Sequence, residues 1–390
     1  MLIAIDEAIP FAQAAFSGAG ELRLLSGRSV RPIDVRDADA LVVRSVTRVG
    51  AALLESSSVR FVGTATVGTD HLDIPYLAAR GIPWANAAGS NANAVAEYVV
   101  SALLALAGRN RWELAGRSIG IIGVGRIGSL VEKKAAALGL RPLLCDPLLR
   151  DSTGDPRYGL LEDVLHADIL SLHVPLTGAG PYPTRQMFDR QVLARLSAGQ
   201  YLINTSRGGV VCGPDLKAAL AGHRLRGAIL DVWEGEPEID AGLLDLVELG
   251  TAHIAGSSIE GKARGTAMVL EELCRHFGLS PQWDPRNSEP APKLLRPENG
   301  AAGQDAVWSV VRQAYDIRGD DERLRALVRS GGESMAAGFD RLRDGYALRP
   351  EFARFAVATG EDPAPASVLW DLGFASAAPE GHSPRGTEKP

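Results

Sequence analysis

Gly123-Val124-Gly125-Arg126-Ile127-Gly128 lies between a short apolar run, Ser118–Ile122, and a helix-like run, Leu130–Leu138. Glycines at this spacing let the backbone turn tightly from a strand into a helix. They also let a pyrophosphate approach the helix N-terminus, whose free N–H groups bind anions. In a chain with 43 glycines the six residues alone are weak evidence. Their setting makes them specific, because Asp146 follows Gly128 by 18 residues, at the end of the next apolar run. A carboxylate there is placed to accept ribose hydroxyls. The region reads as a dinucleotide site, and Asp146 with no Arg directly after it favours NAD over NADP, since a 2′-phosphate would be repelled.

Apolar runs recur on either side of this loop. Leu2–Asp6, Ala40–Val43, Arg60–Gly63 and Ile82–Ala85 form one set; Ser118–Gly123, Pro142–Cys145, Asp168–Leu172, Tyr201–Asn204 and Ala228–Val232 form another. Runs of four to six apolar residues that do not alternate suit strands buried on both faces of a parallel sheet, with helices between them. The expected fold is therefore α/β, with two Rossmann- or flavodoxin-like doubly wound parallel sheets. Helices are expected at Asn93–Leu106 and Ile259–Phe277, where the chain crosses between the two units. Ser280–Pro297 is proline-rich and reads as a linker. A small α+β C-terminal domain follows, and Ala377–Pro390 lacks an apolar anchor and reads as a disordered tail. The apolar residues Val307, Val310, Val311, Phe352, Phe355, Val368 and Leu369 are few for an isolated core, which suggests packing against a second copy.

Composition narrows the function classes. With 41 Lys and Arg against 47 Asp and Glu, the net charge is −6, which argues against a surface for nucleic acid or anionic lipid. Three scattered cysteines, Cys145, Cys212 and Cys274, exclude a disulfide framework and a thiolate zinc site, and point to a cytoplasmic protein with no metal. The first ten residues carry Asp6 and Glu7 where a secretory leader needs basic residues and then an apolar run. The apolar helix Ala94–Ala107 is too short for a bilayer and contains Glu97.

Three polar stretches follow strand-like runs in the second unit: Asn204–Gly209, Asp231–Pro237 and His253–Gly256. Ligands of open parallel sheets bind outside the carboxyl ends of the strands, so Arg207, Glu236 and His253 are placed to share one cleft beside the dinucleotide. A guanidinium holds a carboxylate through two parallel bonds. An imidazole takes the proton of an alcohol as hydride leaves its carbon, and a neighbouring carboxylate sets the tautomer. Singly, such residues are more often a surface ion pair, a solvated acid or a structural histidine; their order behind the glycine loop is what points to chemistry.

The stretches Leu114–Gly128, Leu202–Gly209, Asp231–Pro237 and His253–Gly256 resemble the D-isomer-specific 2-hydroxyacid dehydrogenase family. A narrower likeness within it rests on Val43–Thr47, Thr64–His71, Asp231–Glu238, His253–Thr266 and Tyr315–Asp321. The resemblance implies a substrate domain from residues 1–92 with 257–280, an NAD domain over 93–256, a linker at 281–297 and a dimerisation domain at 298–376. It implies His253 as acid/base, Glu236 as its partner and Arg207 as carboxylate clamp. Gly123, Gly125, Arg126, Ile127, Gly128, Asp146, Thr205, Ser206, Arg207, Asp231 and Gly256 would line the NAD site, and Ser45, Thr66 and Ser257 would hold substrate. The chain departs from the family pattern at Ala252, where a Pro is common, and from the subfamily's at Ser257 and Val174.

For the substrate end, Thr66–Asp70 is a turn whose N–H groups suit a carboxylate. Arg44 ends a strand and suits a phosphate at the far end of a small 2-hydroxy acid, although a salt bridge under the sheet is the alternative. His71 and His173 read as structural. Three readings remain at this point: oxidation of a phosphorylated four-carbon 2-hydroxy acid, action on glyoxylate, hydroxypyruvate, lactate or 3-phosphoglycerate, or an NAD-sensing scaffold without essential turnover.

Overall fold

The computed structural model describes residues 1–288, 292–331, 334–358 and 363–377; the expected tail at 377–390 lies outside these but for its first residue. The chain divides into two compact units, Met1–Asn93 with Ser257–Pro290, and Ala94–Gly256 with Ala291–Pro390.

The first unit is built on five parallel strands, β1 (Leu2–Asp6), β2 (Glu21–Leu25), β3 (Ala40–Val43), β4 (Phe61–Thr64) and β5 (Trp84–Asn86), in the order β2-β1-β3-β4-β5. Both faces are covered, as the unbroken apolar strands require. On one face Ile3, Ile5, Val42 and Phe61 pack with Val269, Leu270 and Leu273 of the Ile259–Phe277 helix. On the other, Ala4, Leu41, Val43 and Val62 pack with Leu54 and Leu77. That long helix starts on Ser258, whose hydroxyl accepts the Gly261 N–H at 2.9 Å, and stops at Gly278 in the left-handed conformation. Strand β2 was not expected from the sequence. Its run ELRLL is half-exposed at the sheet edge, so it lacks the continuous apolar signal of the inner strands.

The larger sheet of the second unit has seven parallel strands: β6 (Ser118–Ile122), β7 (Arg141–Cys145), β8 (Tyr158–Gly159), β9 (Ile169–Leu172), β10 (Tyr201–Asn204), β11 (Gly227–Leu230) and β12 (Leu249–Gly250), ordered β12-β11-β10-β9-β6-β7-β8. The chain winds one way from β6 through β7 to β8 and the other way from β9 to β12. The β6/β9 boundary is therefore a topological switch point, where the loops leaving the two strands diverge and open a crevice. The helix Ala92–Asn110 packs its apolar face on Ile119, Ile121, Ile169, Ile203 and Ile229. The opposite face of the sheet, Leu170, Leu172, Leu202 and Leu230, is covered by Leu216, Leu220 and Leu243.

Among the described residues, the C-terminal segment forms a three-stranded parallel sheet, β13 (Lys293–Leu295), β14 (Phe355–Val357) and β15 (Ala375–Ser376), with four helices. Their apolar residues do not wait for a second copy. Val307, Val310, Val311, Phe352, Phe355 and Leu369 join the core around the Ala92–Asn110 helix, and Leu324, Leu327 and Phe339 join that of the opposite face. Polar contacts reinforce the packing: Asp321 accepts the Gly250 N–H at 2.8 Å, and Arg325 donates to the Leu244 and Val247 carbonyls at 2.8 and 2.9 Å. A buried ionic group sits in this seam. Glu97 accepts the Phe352 N–H at 2.9 Å, and the Lys134 ammonium donates to the Leu372 carbonyl. Burial pushes the Glu97 carboxyl up to about 8 and the Lys134 ammonium down.

Candidate active site

The crevice at the β6/β9 switch point carries the glycine loop. Gly128 packs so tightly that a Cβ there would lie 2.0 Å from the Gly123 carbonyl oxygen, whereas a Cβ on Gly125 would meet nothing within 4 Å. Gly128 thus closes the strand–helix packing, and Gly125 leaves open space over the N-terminus of the Arg126–Ala137 helix, which has no side-chain cap. Asp146 follows β7 beside it. One carboxylate oxygen accepts the Val124 N–H at 2.8 Å and the other caps Leu149 N–H at 3.0 Å, so the ribose candidate also braces the loop. An uncapped helix start, room above it and a carboxylate alongside fit a dinucleotide.

The loop after β10 presents Thr205, Ser206 and Arg207. Asn204, the last strand residue and 1% exposed, organises it: its Oδ1 accepts the Ser206 N–H at 3.0 Å and hydroxyl at 2.8 Å, and its Nδ2 donates to the Arg207 carbonyl at 3.0 Å. The Arg207 guanidinium donates to the Ser206 carbonyl at 2.8 Å and stays partly exposed. Thr205 hydroxyl pairs with His173 Nδ1 at 3.3 Å, and Ser171 with its Nε2 at 2.9 Å. Burial pushes that imidazole down to about 3, which keeps His173 neutral between the two hydroxyls.

His253 and Glu236 meet directly. His253 Nδ1 lies 2.8 Å from Glu236 Oε2, and Glu236 Oε1 accepts the Trp233 N–H at 2.7 Å. Burial alone would raise the Glu236 carboxyl. The bond to His253, its charge, the Trp233 N–H and the charge of Arg343 outweigh that and hold it below the ordinary carboxylate range. The ionised carboxylate therefore accepts a hydrogen bond from Nδ1–H, which leaves Nε2, on a ring 30% exposed, as the acceptor.

Asp231 is 1% exposed, and its carboxylate is spent on the loop that carries His253. It accepts from Thr251 Oγ1 at 2.7 Å, from Ile254 N–H at 2.7 Å and from Ala255 N–H at 3.0 Å. Asn204 and Thr251 were not singled out in the sequence; a small polar residue ending a buried strand was the available signal.

In the first unit, Arg44 Nε donates to buried Asp6 at 2.9 Å, the salt bridge weighed as the alternative. The pair bridges the ends of β1 and β3, the switch point of that sheet. Ser45 beside it is exposed. Thr66 hydroxyl bonds Thr64 at 2.8 Å and the Gly68 carbonyl at 3.1 Å, fixing the 66–70 bend. His71 pairs with Thr64 at 3.0 Å and is structural. Ser257 is partly exposed just before the long helix.

Residues 92–255 match the model of the D-isomer specific 2-hydroxyacid dehydrogenase NAD binding domain, and 293–373 match a domain of unknown function. The chain is 44% identical to an erythronate-4-phosphate dehydrogenase of Azotobacter vinelandii over 96% of its length and 99% of that protein's. It is 42% identical to one of Yersinia enterocolitica, over 96% and 99%. Among solved structures it resembles the TT0316 protein of Thermus thermophilus, with a TM-score of 0.60, 27% identity, and coverage of 72% of this chain and 99% of that one. It also resembles a D-lactate dehydrogenase of Aquifex aeolicus complexed with NAD and lactic acid, with a TM-score of 0.59, 25% identity, and coverage of 71% and 96%. Among the described residues no helix is long and apolar enough to cross a membrane.

Proposed function

The chain belongs to the D-isomer-specific 2-hydroxyacid dehydrogenases, and on that premise we propose that it oxidises 4-phospho-D-erythronate at C2 with NAD, as a step of pyridoxine biosynthesis. The product is (R)-3-hydroxy-2-oxo-4-phosphooxybutanoate. The observation that carries the chemistry is the 2.8 Å contact of His253 with Glu236, on a loop following the same sheet as the Arg207 loop and the glycine loop.

Each residue then has one task. Bound NAD supplies the acceptor for the hydride that leaves C2. His253 Nε2 takes the C2 hydroxyl proton, and the imidazolium so formed is stabilised by the Glu236 carboxylate at Nδ1. Arg207 holds the substrate carboxylate through its planar fork, which fixes the angle of C2 as a point charge would not. Gly123, Gly125, Arg126, Ile127 and Gly128 cradle the pyrophosphate, Asp146 takes the ribose hydroxyls, and Thr205, Ser206 and Gly256 line the cofactor. Asp231 acts there through the loop it holds. In the first unit Ser45, Thr66 and Ser257 are the substrate contacts, and Arg44, held on Asp6 through Nε, presents its terminal nitrogens to the phosphate. The Val67, Gly68 and Thr69 N–H groups, which have no hydrogen-bond partner among the described residues, add an anion cradle. A homodimer formed through the C-terminal domain is part of the same reading.

Purified protein with NAD and a panel of 2-hydroxy acids, phosphorylated and not, tests it through NADH absorbance. 4-Phospho-D-erythronate should give the highest kcat/KM. Faster turnover of lactate, glycerate or 3-phosphoglycerate would reject the substrate, and turnover of none would favour a scaffold.

A further inference from the structure

His253 sits at φ 56, in the left-handed region that a residue with a Cβ adopts only when its surroundings hold it there. Asp231 holds the segment from one side. Its carbonyl accepts the His253 N–H at 2.7 Å, and its carboxylate accepts the next two N–H groups. The other side is held by a residue from the far C-terminal segment. Arg349, 6% exposed, donates from Nη2 to the Ala255 carbonyl at 2.8 Å and the Ala94 carbonyl at 2.7 Å. Its Nη1 reaches the Ile254 carbonyl at 3.5 Å, the long limit of a hydrogen bond. The guanidinium lies over the Tyr315 ring, 4.2 Å from its centroid.

One peptide segment, Ile254–Ala255, thus has its N–H groups on a carboxylate and its carbonyls on a guanidinium, with its dipoles aligned between opposite charges. Ala94 and Gly256 are also where the chain enters and leaves the second unit. A single side chain ties both crossing segments together beside the imidazole. Burying a guanidinium is unfavourable unless its donors are used, and here the Nη1 and Nη2 donors are used on those carbonyls.

We propose that Arg349 is a positioning residue for His253: by holding the Ile254, Ala255 and Ala94 carbonyls it fixes the backbone that aims the imidazole. The C-terminal domain, which supplies no reacting group in the proposed mechanism, then sets the geometry of proton transfer. This rests on the assignment of His253 as the acid/base group.

The test compares the full-length wild type with Arg349→Lys, Arg349→Ala, His253→Ala and the Arg349→Ala/His253→Ala double variant. Misaiming a catalytic group by about 1 Å costs on the order of 100-fold, so kcat should fall about 10- to 100-fold in Arg349→Ala, with KM and the NADH dissociation constant changed less than about threefold. Added guanidinium should restore part of kcat in Arg349→Ala and none in His253→Ala. In the double variant the Arg349 change should cost less than about threefold more, because residues acting as a unit are not additive. Equal losses of kcat and NADH binding, additive losses in the double variant, or failure of both Arg349→Lys and Arg349→Ala to fold would overturn the proposal in favour of a purely architectural role. The NMR chemical shifts of the His253 ring, identified by their loss in His253→Ala, need no substrate. They should differ between wild type and Arg349→Ala, and unchanged shifts also overturn the clamp. Altered shifts in a protein inactive on 4-phospho-D-erythronate would reject the substrate and leave the clamp standing.

Discussion

Gly208 lies against the backbone of Trp233 so closely that a Cβ on it would fall 1.9 Å from the Trp233 carbonyl oxygen and 2.6 Å from the Glu234 nitrogen. The loop carrying Arg207 and the loop carrying Glu236 therefore touch main chain to main chain, and nothing larger than hydrogen fits between them. Backbone atoms cannot rotate away as a side chain can. Gly208→Ala should destabilise the protein by about 1–3 kcal/mol, the usual range for overpacking, and lower kcat/KM in whatever folds. Chemical denaturation and steady-state kinetics on the same preparation check this; wild-type values in both would mean that the two loops are not in register as described.

The His253–Glu236 pair predicts a split between chemistry and binding. His253→Ala should lower kcat by about 10²–10⁴, the usual size of general-base catalysis, with NADH binding measured by fluorescence largely kept. Glu236→Gln keeps the shape but removes the charge that stabilises the imidazolium, so it should also lower kcat while sparing NADH binding. Full activity of His253→Ala would remove the imidazole from the mechanism.

Asp146 both excludes a 2′-phosphate and caps Leu149. Asp146→Ser keeps a good cap and removes the charge. Repulsion of about 3 kcal/mol at an effective dielectric near 20 corresponds to about 100-fold discrimination, so the NADP-to-NAD ratio of kcat/KM should rise by up to about that factor. An unchanged ratio would place the ribose elsewhere.

Glu97 makes stability depend on pH. Its carboxyl is raised in the folded protein to about 8 from an ordinary 4.5, so between those values the native state holds a proton that the unfolded chain releases. The stabilisation from that proton is full below the ordinary value and is lost as pH rises toward about 8. Glu97→Gln, which keeps an acceptor for the Phe352 N–H, should gain on the wild type progressively from pH 5 to 8. Lys134 shifts in the opposite sense, with its effect toward alkaline pH, and Arg349 and Glu351 also act on Glu97, so urea midpoints are best compared at or below about pH 8. A difference that does not vary with pH would show Glu97 ionised throughout.

Much of this protein is written in short stretches of its sequence. The inner strands β1 and β3 and β9 to β11 announce themselves as apolar runs, because a strand buried on both faces needs no partner to reveal its pattern. The Ile259–Phe277 helix has its cap residue, its apolar stripe and its terminal glycine in consecutive sequence, so both of its ends could be read. The glycine loop, Asp146 and the order of Arg207, Glu236 and His253 are local signals of the same kind. The edge strand β2 and the two-residue strands β8 and β12 carry too few buried positions to show.

Tertiary structure decided what joins residues far apart in the chain. That Glu236 reaches His253, that Asn204 ties down the Arg207 loop, that the C-terminal apolar residues find their core on the Ala92–Asn110 helix, and that Arg349 reaches the carbonyls of Ala94 and Ala255 all depend on three-dimensional packing. Hydrophobic periodicity and turn chemistry act over a few residues and leave their mark in the sequence. A hydrogen bond between groups 94 or 255 positions apart leaves none, because either partner alone looks like any other polar residue until the fold brings them together.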